Sequence, residues 1–517
     1  MGANLNSLLC GLVLLLAVVS SSPVPLGPVP SIFQKNDVSR RELPPSAIQH
    51  ELGPRLSSGS LIILPSDTSF FNLTERWNTL APPDIQVAIQ PAQESDIPTI
   101  VKYCNNNSLK FMAVNTGHGF TTTLGKFKGV QIDLKQLRGS KIAADGKSAL
   151  LQGGSYFHDV VPKLWDNGYV TATGAAECVG IAGPALGGGH GRYEGMYGLV
   201  SDNLIHLNVV LADGSAIGVN ETSHADLFWA MRGAGHNFGI VTSMKLKIYP
   251  KKVPTWHYHN YVWSQDKLEQ VFKQLNKIQD NGKAPPKLGV SYGMVHINST
   301  VSKTEPILFW TFGYAGPRRE AEDILRPFNK IGAISEEMGD VSYPDLIYPQ
   351  LTSQDTDCGD GSYAVSTTMT KTWNITTERQ NYKLYTKNLA KYPDLASTSL
   401  LFYEGYSVKA AQAIPSDSTA YPHRDRVHLS IFQTTVPEKS DLRAPAEAWA
   451  KAHWDLWNAG QPGTKPATYV NYANGLPYQT LESIYGYEPW RLSRLRSLKA
   501  KYDPKNSFRY YNPIIAS

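Results

Sequence analysis

GGSYFHDVVPKLWDNGYVTATGAAECVGIAGPALGGGHGRYEGMYGLVSDN, residues 153–203, carries twelve glycines, with Cys178 and His190 set among them. Glycine is selected where φ must be positive or where backbone must approach something closely. Two further glycine turns flank this stretch, NTGHGF at 115–120 and RGAGHNFG at 232–239, and the fold turns on what all three approach. A dinucleotide fingerprint needs a strand before its glycines and a helix after them. Around Gly233 the order reads helix then strand, and Gly187–Gly191 opens onto no clear helix with a ribose-binding acid beyond, which argues against a Rossmann site. His118, His190 and His236 sit beside glycines but lack the short spacing and Cys or carboxylate companions of a zinc motif, so no metal centre is read from them. A cradle remains. Successive backbone N–H groups in glycine turns bind a diphosphate without lysines, and three such loops closing on one long, flat anion account for the density of glycine.

The rest of the chain narrows the partner. Its 517 residues hold 49 basic and 44 acidic side chains, so there is no field for gripping nucleic acid and no basic block for a lipid surface. The apolar run LLCGLVLLLAVVSSSPVP from Leu8 spans about a dozen residues, short of the roughly 20 that cross a bilayer. Residues 1–22 are therefore read as a secretion signal, cleaved near Ser20 to Ser22, and the Pro- and Ser-rich 23–58 as a lead-in arm. Sequons at Asn72, Asn106, Asn220, Asn298 and Asn374 suit a glycosylated, extracellular chain. Once Cys10 leaves with the signal, Cys104, Cys178 and Cys358 allow at most one disulfide, whose pairing the sequence leaves open.

Short strands alternate with helices over 59–255. PDIQVAIQPAQESDIPTIVKYCNNNSLKFMAV reads strand–helix–strand, with the helix starting after Ser95. LIHLNVVLADGSAIGV reads as a hairpin closed by the two residues Asp213-Gly214. SHADLFWAMRGAG reads as a helix capped at Ser223, and NFGIVTSMKLKIYP as a strand stopped by Pro250. Residues 256–455 change character: WHYHNYVW and ILFWTFGYA read as strands, QDKLEQVFKQLNKIQDNG and RREAEDILRPFNKIG as amphipathic helices. That order predicts an antiparallel sheet with helices on one face, and the whole an α+β protein. Residues 456–517 form a C-terminal segment.

FMAVNTGHGF, the glycine stretch, DLFWAMRGAGHNFGIV, TYVNYANG and YDPKNSF together resemble the successive signatures of the FAD-linked oxidoreductases of the vanillyl-alcohol oxidase superfamily, with their PCMH-type FAD-binding domain. The resemblance is nearest to the berberine-bridge-enzyme-like group and its secreted fungal members, and is dense over 60–255 and again at 469–508. It implies a two-part FAD-binding domain to which 456–517 returns, and an antiparallel-sheet substrate domain between. It places the FAD diphosphate on Asn115, Thr116, Gly117, His118 and Gly119, with Gly180, Gly183, Gly188 and Gly189 as further cofactor contacts. His118 falls on the histidine that in relatives bonds to the flavin 8α-methyl. Many relatives add a second tether, a cysteine in a Gly-Thr-Cys-Pro-Thr-Val-Gly run. Here Gly174-Ala175-Ala176-Glu177-Cys178-Val179-Gly180 puts Ala176 at that place. Cys178, two residues on, is shifted by about 7 Å along extended chain. A single histidyl tether is expected, with Cys178 a small buried side chain. Val179 matches a position that controls oxygen's approach and resembles the oxygen-reactive members.

Tyr469 and Tyr197 match positions lining the flavin's substrate face. Tyr469 is expected as proton acceptor or substrate orienter, Tyr197 as its neighbour, and Asn471 on the ring edge. Phenol near pKa 10 accepts a proton only if that value is lowered or the proton moves as hydride leaves. Glu404 and His428 lie on alternating strands that would roof the flavin, Tyr406 shares Glu404's face, and Glu404 is a candidate base of raised pKa. The resulting expectation is a secreted, monomeric FAD oxidase. It dehydrogenates an alcohol or related carbon of a sugar-like or secondary-metabolite substrate and is reoxidised by O2 to give H2O2. The alternatives are a dehydrogenase with another acceptor and an inert flavin-containing binding protein.

Overall fold

A computed structural model describes residues 43–354 and 358–515. The signal reading and most of the arm lie outside those residues. The arm's last part differs from expectation, because Pro45–Leu52 is a helix. Its Ile48 and Leu52, one turn apart, are buried against Ile97, Val101 and Val87, and burying that apolar pair orders a stretch whose Pro and Ser content suggested a loose lead-in.

The chain is α+β. Its first sheet runs Leu61–Ile63, Asp84–Gln90, Lys128–Asp133, Phe111–Val114, antiparallel at the first edge and parallel thereafter. The helix Asp96–Asn106 makes the crossover, beginning where Ser95 predicts. A second, antiparallel sheet runs Ser140–Ile142, Ser148–Gln152, Ile240–Lys247, Leu204–Val210, Ala216–Asn220. Its hairpin closes with three residues instead of two: Leu211 N donates to Ser215 O, and Gly214 takes φ +83°, the turn-plus-bulge form. The following helix, Ala225–Ala234, starts after His224 in the left-handed region, one residue beyond the expected Ser223 cap. Gly235–Asn237 then leads into strand Ile240–Lys247, so helix does precede strand around this glycine loop.

The third sheet has seven antiparallel strands in the order Ser335–Val341, Trp256–Trp263, Ile307–Tyr314, Leu288–His296, Leu400–Gly405, His428–Thr435, Tyr363–Thr370. Period-two alternation divides its faces. Leu308, Trp310, Phe312, Leu401, Tyr403 and Phe432 pack under the helices Leu268–Gln279, Arg318–Asn329, Ile375–Lys391 and Arg443–Ala459. Leu400, Phe402 and Glu404 face the other way, toward the first two sheets. The C-terminal helix Pro489–Tyr502 returns to the first part, its Leu492, Leu495 and Leu498 joining Leu227, Phe228 and Met231 in one core. There the buried Lys499 pairs with Asp503 at 2.7 Å and donates to Asn237 O and Phe508 O, pinning the third glycine loop to the chain's end.

Candidate active site

The glycine loops meet on one cavity of about 780 Å³, toward the upper end of ligand sites (roughly 300–1,000 Å³). Its wall includes Asn115, Thr116, Gly117, His118 and Gly119 from the turn after strand Phe111–Val114, and Ala176, Val179, Gly180 and Gly183 from the glycine stretch. His236 and Gly239 come from the third loop, Tyr469 and Asn471 from the C-terminal segment, and Glu404, Tyr406 and Tyr292 from the large sheet. Gly117 holds φ +77°, which the turn requires. Gly180 lets the first two loops meet: a Cβ there would overlap Asn115, and Gly180 N donates to Thr116 Oγ1 at 3.1 Å. Asn115 Nδ2 donates to Gly153 O at 2.5 Å, while its buried Oδ1 has no protein partner.

Of the twelve glycines at 153–203, only Gly174, Gly180 and Gly183 line the cavity. Others let backbone meet backbone, for a Cβ on Gly154 would overlap Leu134 O and one on Gly191 would overlap Thr173 O. Gly188 and Gly189, expected at the cofactor, sit behind the wall. A Cβ on them would strike Tyr421 at 2.7 Å and Val200 at 2.6 Å, and both take positive φ.

His118 stacks on Trp77 with ring centroids 4.6 Å apart. Burial pushes its pKa down to about 4, so the imidazole is neutral and carries a free lone pair above about pH 5. Cys178 does not match its reading as a small buried filler: it forms a disulfide with Cys358. The bridge joins the glycine stretch to a connection of the large sheet 180 residues away, and Ala176, not Cys178, lines the cavity wall. Cys104 is a buried free thiol. Cys358→Ser is expected to cost about 2–5 kcal/mol, because so long a loop is freed in the unfolded chain. Calorimetry under non-reducing conditions checks this, and a variant melting with the parent refutes it.

The large sheet and the C-terminal segment together bring an acid and three phenols into contact. Glu404 is buried, and Tyr406 donates to its Oε2 at 2.7 Å and Tyr472 to its Oε1 at 3.0 Å. Tyr292 Oη lies 2.9 Å beyond, on Tyr406. Burial lifts the Glu404 pKa above the usual carboxylate range, and the two phenol hydrogen bonds pull part of that back. Tyr469 Oη accepts from Gly189 N at 2.9 Å and from Asn471 Nδ2 at 2.7 Å. Burial nevertheless pushes its pKa above that of an ordinary phenol. A phenol so raised is a poor proton acceptor, which leaves Tyr469 the orienting part of its two expected roles. His190 bridges Glu194 Oε2 at 2.8 Å and Tyr421 Oη at 2.7 Å, a buried strut on the same wall.

Two expected residues are elsewhere. Tyr197 stacks on Tyr249 with centroids 3.8 Å apart, in a side cluster with Trp165 and Trp256, and does not line the cavity. His428 packs on Trp373 at 3.5 Å on the helix-covered face, where burial pushes its pKa down to about 3. It is a neutral filler, because its place in the alternation is opposite to Glu404's. Arg76 went unread in the sequence. It is a buried cation on the cavity wall beside Gly117, held by Gln131 Oε1 at 2.7 Å, and a lone Arg in TERWN carries no spacing signal. Tyr472 and Tyr292 were missed likewise, although TYVNYANG places Tyr472 three residues after Tyr469.

Glycine turns, a buried arginine and a cavity shared with an acid-bearing sheet define a site for a long anionic ligand beside a buried acid. The family model described as the FAD binding domain matches residues 85–220, and the one described as berberine and berberine like matches 468–515. The FAD-linked oxidoreductase iacH of Pestalotiopsis fici is 56% identical over 508 residues, 98% of this chain and 97% of its own length. The chain belongs to the berberine-bridge-enzyme-like family of FAD-linked oxidoreductases, and its cofactor is FAD. Among solved structures, chitooligosaccharide oxidase shares the fold with a TM-score of 0.76 at 22% identity, covering 92% of this chain and 100% of that one. A glucooligosaccharide oxidase from Acremonium strictum, described with a 6-S-cysteinyl, 8α-N1-histidyl FAD, aligns with a TM-score of 0.75 at 21% identity, over 91% of this chain and 100% of that one.

Proposed function

We propose that the chain is a secreted oxidase of a largely apolar, secondary-metabolite alcohol, held to its FAD through His118 alone. The carrying observation is Glu404: a buried carboxylate on the cavity wall, positioned by Tyr406 and Tyr472. When bound, FAD supplies a hydride acceptor and, through O2, an outlet for two electrons as H2O2. The chain's own part is to take the hydroxyl proton, at a Glu404 carboxylate oxygen, as the substrate C–H is lost and a carbonyl forms. Tyr469, with Asn471 and Gly189 fixing its oxygen, presents its O–H to orient the substrate. Asn115 to Gly119, Gly180, Gly183 and Arg76 are the groups that would hold the dinucleotide, and Val179 lies where oxygen access is set.

The sheet's share of the wall favours one of the two expected substrate classes. Beyond the Glu404, Tyr406 and Tyr292 group, Met294, Phe309, Leu400, Phe402 and Ile431 outnumber Thr311 and Gln433. An oligosaccharide would bury hydroxyls against that surface without partners, at a cost for each. An aryl or allylic alcohol would not. Relatives of this fold include carbohydrate oxidases, so both classes belong in the test. Peroxide release is expected from aryl and allylic alcohols with kcat/KM at least tenfold above that for cello- and chito-oligosaccharides. The reverse order would overturn the substrate reading, and slow reoxidation of the reduced protein in air would overturn the oxidase. Secretion has support in the exposure of Asn72, Asn106 and Asn374 and in the disulfide. Among the described residues no helix is long and apolar enough to cross a membrane.

A further inference from the structure

On the helix-covered face of the large sheet, far round from the cavity wall, His257 and His259 stand two residues apart on strand Trp256–Trp263, both buried. Glu322, from helix Arg318–Asn329, reaches down between them. Its Oε1 lies 2.9 Å from His257 Nε2 and 2.7 Å from His259 Nδ1, and the three ligand-type atoms all fall within 4.8 Å of one another. We propose that His257, His259 and Glu322 form a binding site for a divalent cation of the zinc type, with a fourth position left to water.

The hydrogen count points to a cation. The outer nitrogen of each ring also faces a carboxylate, His257 Nδ1 on Asp340 at 2.7 Å and His259 Nε2 on Glu336 at 3.3 Å, both from the neighbouring edge strand. A neutral imidazole has one N–H and cannot donate at both nitrogens. Four N···O contacts from two rings therefore require either two protons beyond those of the neutral rings, on the rings or on the carboxyls, or a positive ion at the point the inner nitrogens share. One dication replaces those two protons without changing the net charge. It leaves each ring neutral, with its single N–H on an outer carboxylate, the arrangement that orients ligand histidines in metal sites. The remaining groups fit. Asn329 Nδ2 holds the other Glu322 oxygen at 2.8 Å, and the Tyr261 hydroxyl, 3.0 Å from His259 Nδ1, donates to Asn329.

Two imidazoles and one carboxylate suit zinc better than magnesium or calcium, which favour all-oxygen shells. Zinc bonds of roughly 2.0–2.1 Å set tetrahedral ligand atoms about 3.4 Å apart, so Glu322 Oε1 withdraws by about half an ångström to seat the ion. Glu322 is 21% exposed, which provides an entry path. None of these residues lines the cavity, so the ion's work is structural: it ties the helix Arg318–Asn329 to the strand Trp256–Trp263 and, through the outer carboxylates, to the edge strand Ser335–Val341.

The test uses the full holoenzyme, treated with a chelator, reloaded with zinc chloride in excess magnesium, desalted and measured for metal by elemental mass spectrometry. The parent is expected to hold about one zinc per chain. Glu322→Gln and His257→Gln are expected to hold less than a tenth of that, with flavin content and turnover unchanged. Added zinc is expected to raise the melting temperature of the parent but not of Glu322→Gln. Should parent and Glu322→Gln bind equal zinc, or should the parent's melting ignore it, the proposal is overturned and the cluster is held by protons alone. Measuring the parent and an isosteric variant keeps the outcome decisive even if His257→Gln does not fold.

Discussion

Glu404→Gln is expected to lower kcat/KM by about 10²- to 10⁴-fold, the range contributed by a positioned general base. The substitution keeps the side chain's shape and an oxygen for one of its two phenol partners, so the sheet and cavity stay as they are. What it removes is the group able to hold the substrate's hydroxyl proton. The pH dependence distinguishes this from a packing effect. Glu404 must be a carboxylate to accept a proton, and burial raises its pKa above the ordinary 4.5. Activity of the parent therefore falls as pH drops through a value above the usual carboxylate range. In the variant that acidic limb disappears, because amide does not titrate. A Gln variant that kept more than a tenth of kcat/KM, or kept the acidic limb, would move the proton to another group. Tyr469 is the poorer candidate, since its pKa is raised where an acceptor needs it lowered.

His118→Ala is expected to abolish covalent flavin. Acid-precipitated parent stays yellow, while the variant's pellet is colourless and its FAD is recovered in the supernatant. The reason lies in what else stands at that edge of the cavity. Ala176 occupies the place where many relatives have a cysteine, and the Cys178 sulfur, 3.9 Å from His118 Nδ1, is already bonded to Cys358. The free thiol that remains among the described residues, Cys104, is buried in the core of the first sheet and does not line the cavity. Losing the electron-withdrawing bond should also lower the flavin potential, and kcat falls about tenfold for each ~1.4 kcal/mol of driving force lost in the transition state. Flavin that remained covalent in His118→Ala would refute the single-tether reading and implicate a reduced Cys178.

Much of the cofactor side was readable because its signals are local. Asn115 to Gly119 follow a strand whose pattern is plain, Gly214 and Gly233 mark turns, and Val179, Gly180, Tyr469 and Asn471 sit in runs whose spacing survives without coordinates. The misreadings share a physical cause, since each needed a partner distant in sequence. Gly188 and Gly189 are glycines because Tyr421 and Val200 press on them. Tyr197 is taken by Tyr249. His257 and His259 read as two members of a strand, and gain chemistry only when Glu322 is laid across them.

Order and spacing along the chain, then, determined the α+β class and the glycine turns with His118 that line the cavity, because backbone conformation and motif spacing are properties of neighbouring residues. Which carboxylate stands in the cavity, which cysteines join, and which rings are buried fillers were decided only by tertiary structure. Strand alternation gives each residue one of two faces, but the packing of helices on one side and the FAD-binding part on the other decides which face meets the ligand. Glu404 and His428 lie on adjacent paired strands, and opposite faces make one a candidate base and the other a packed, uncharged ring.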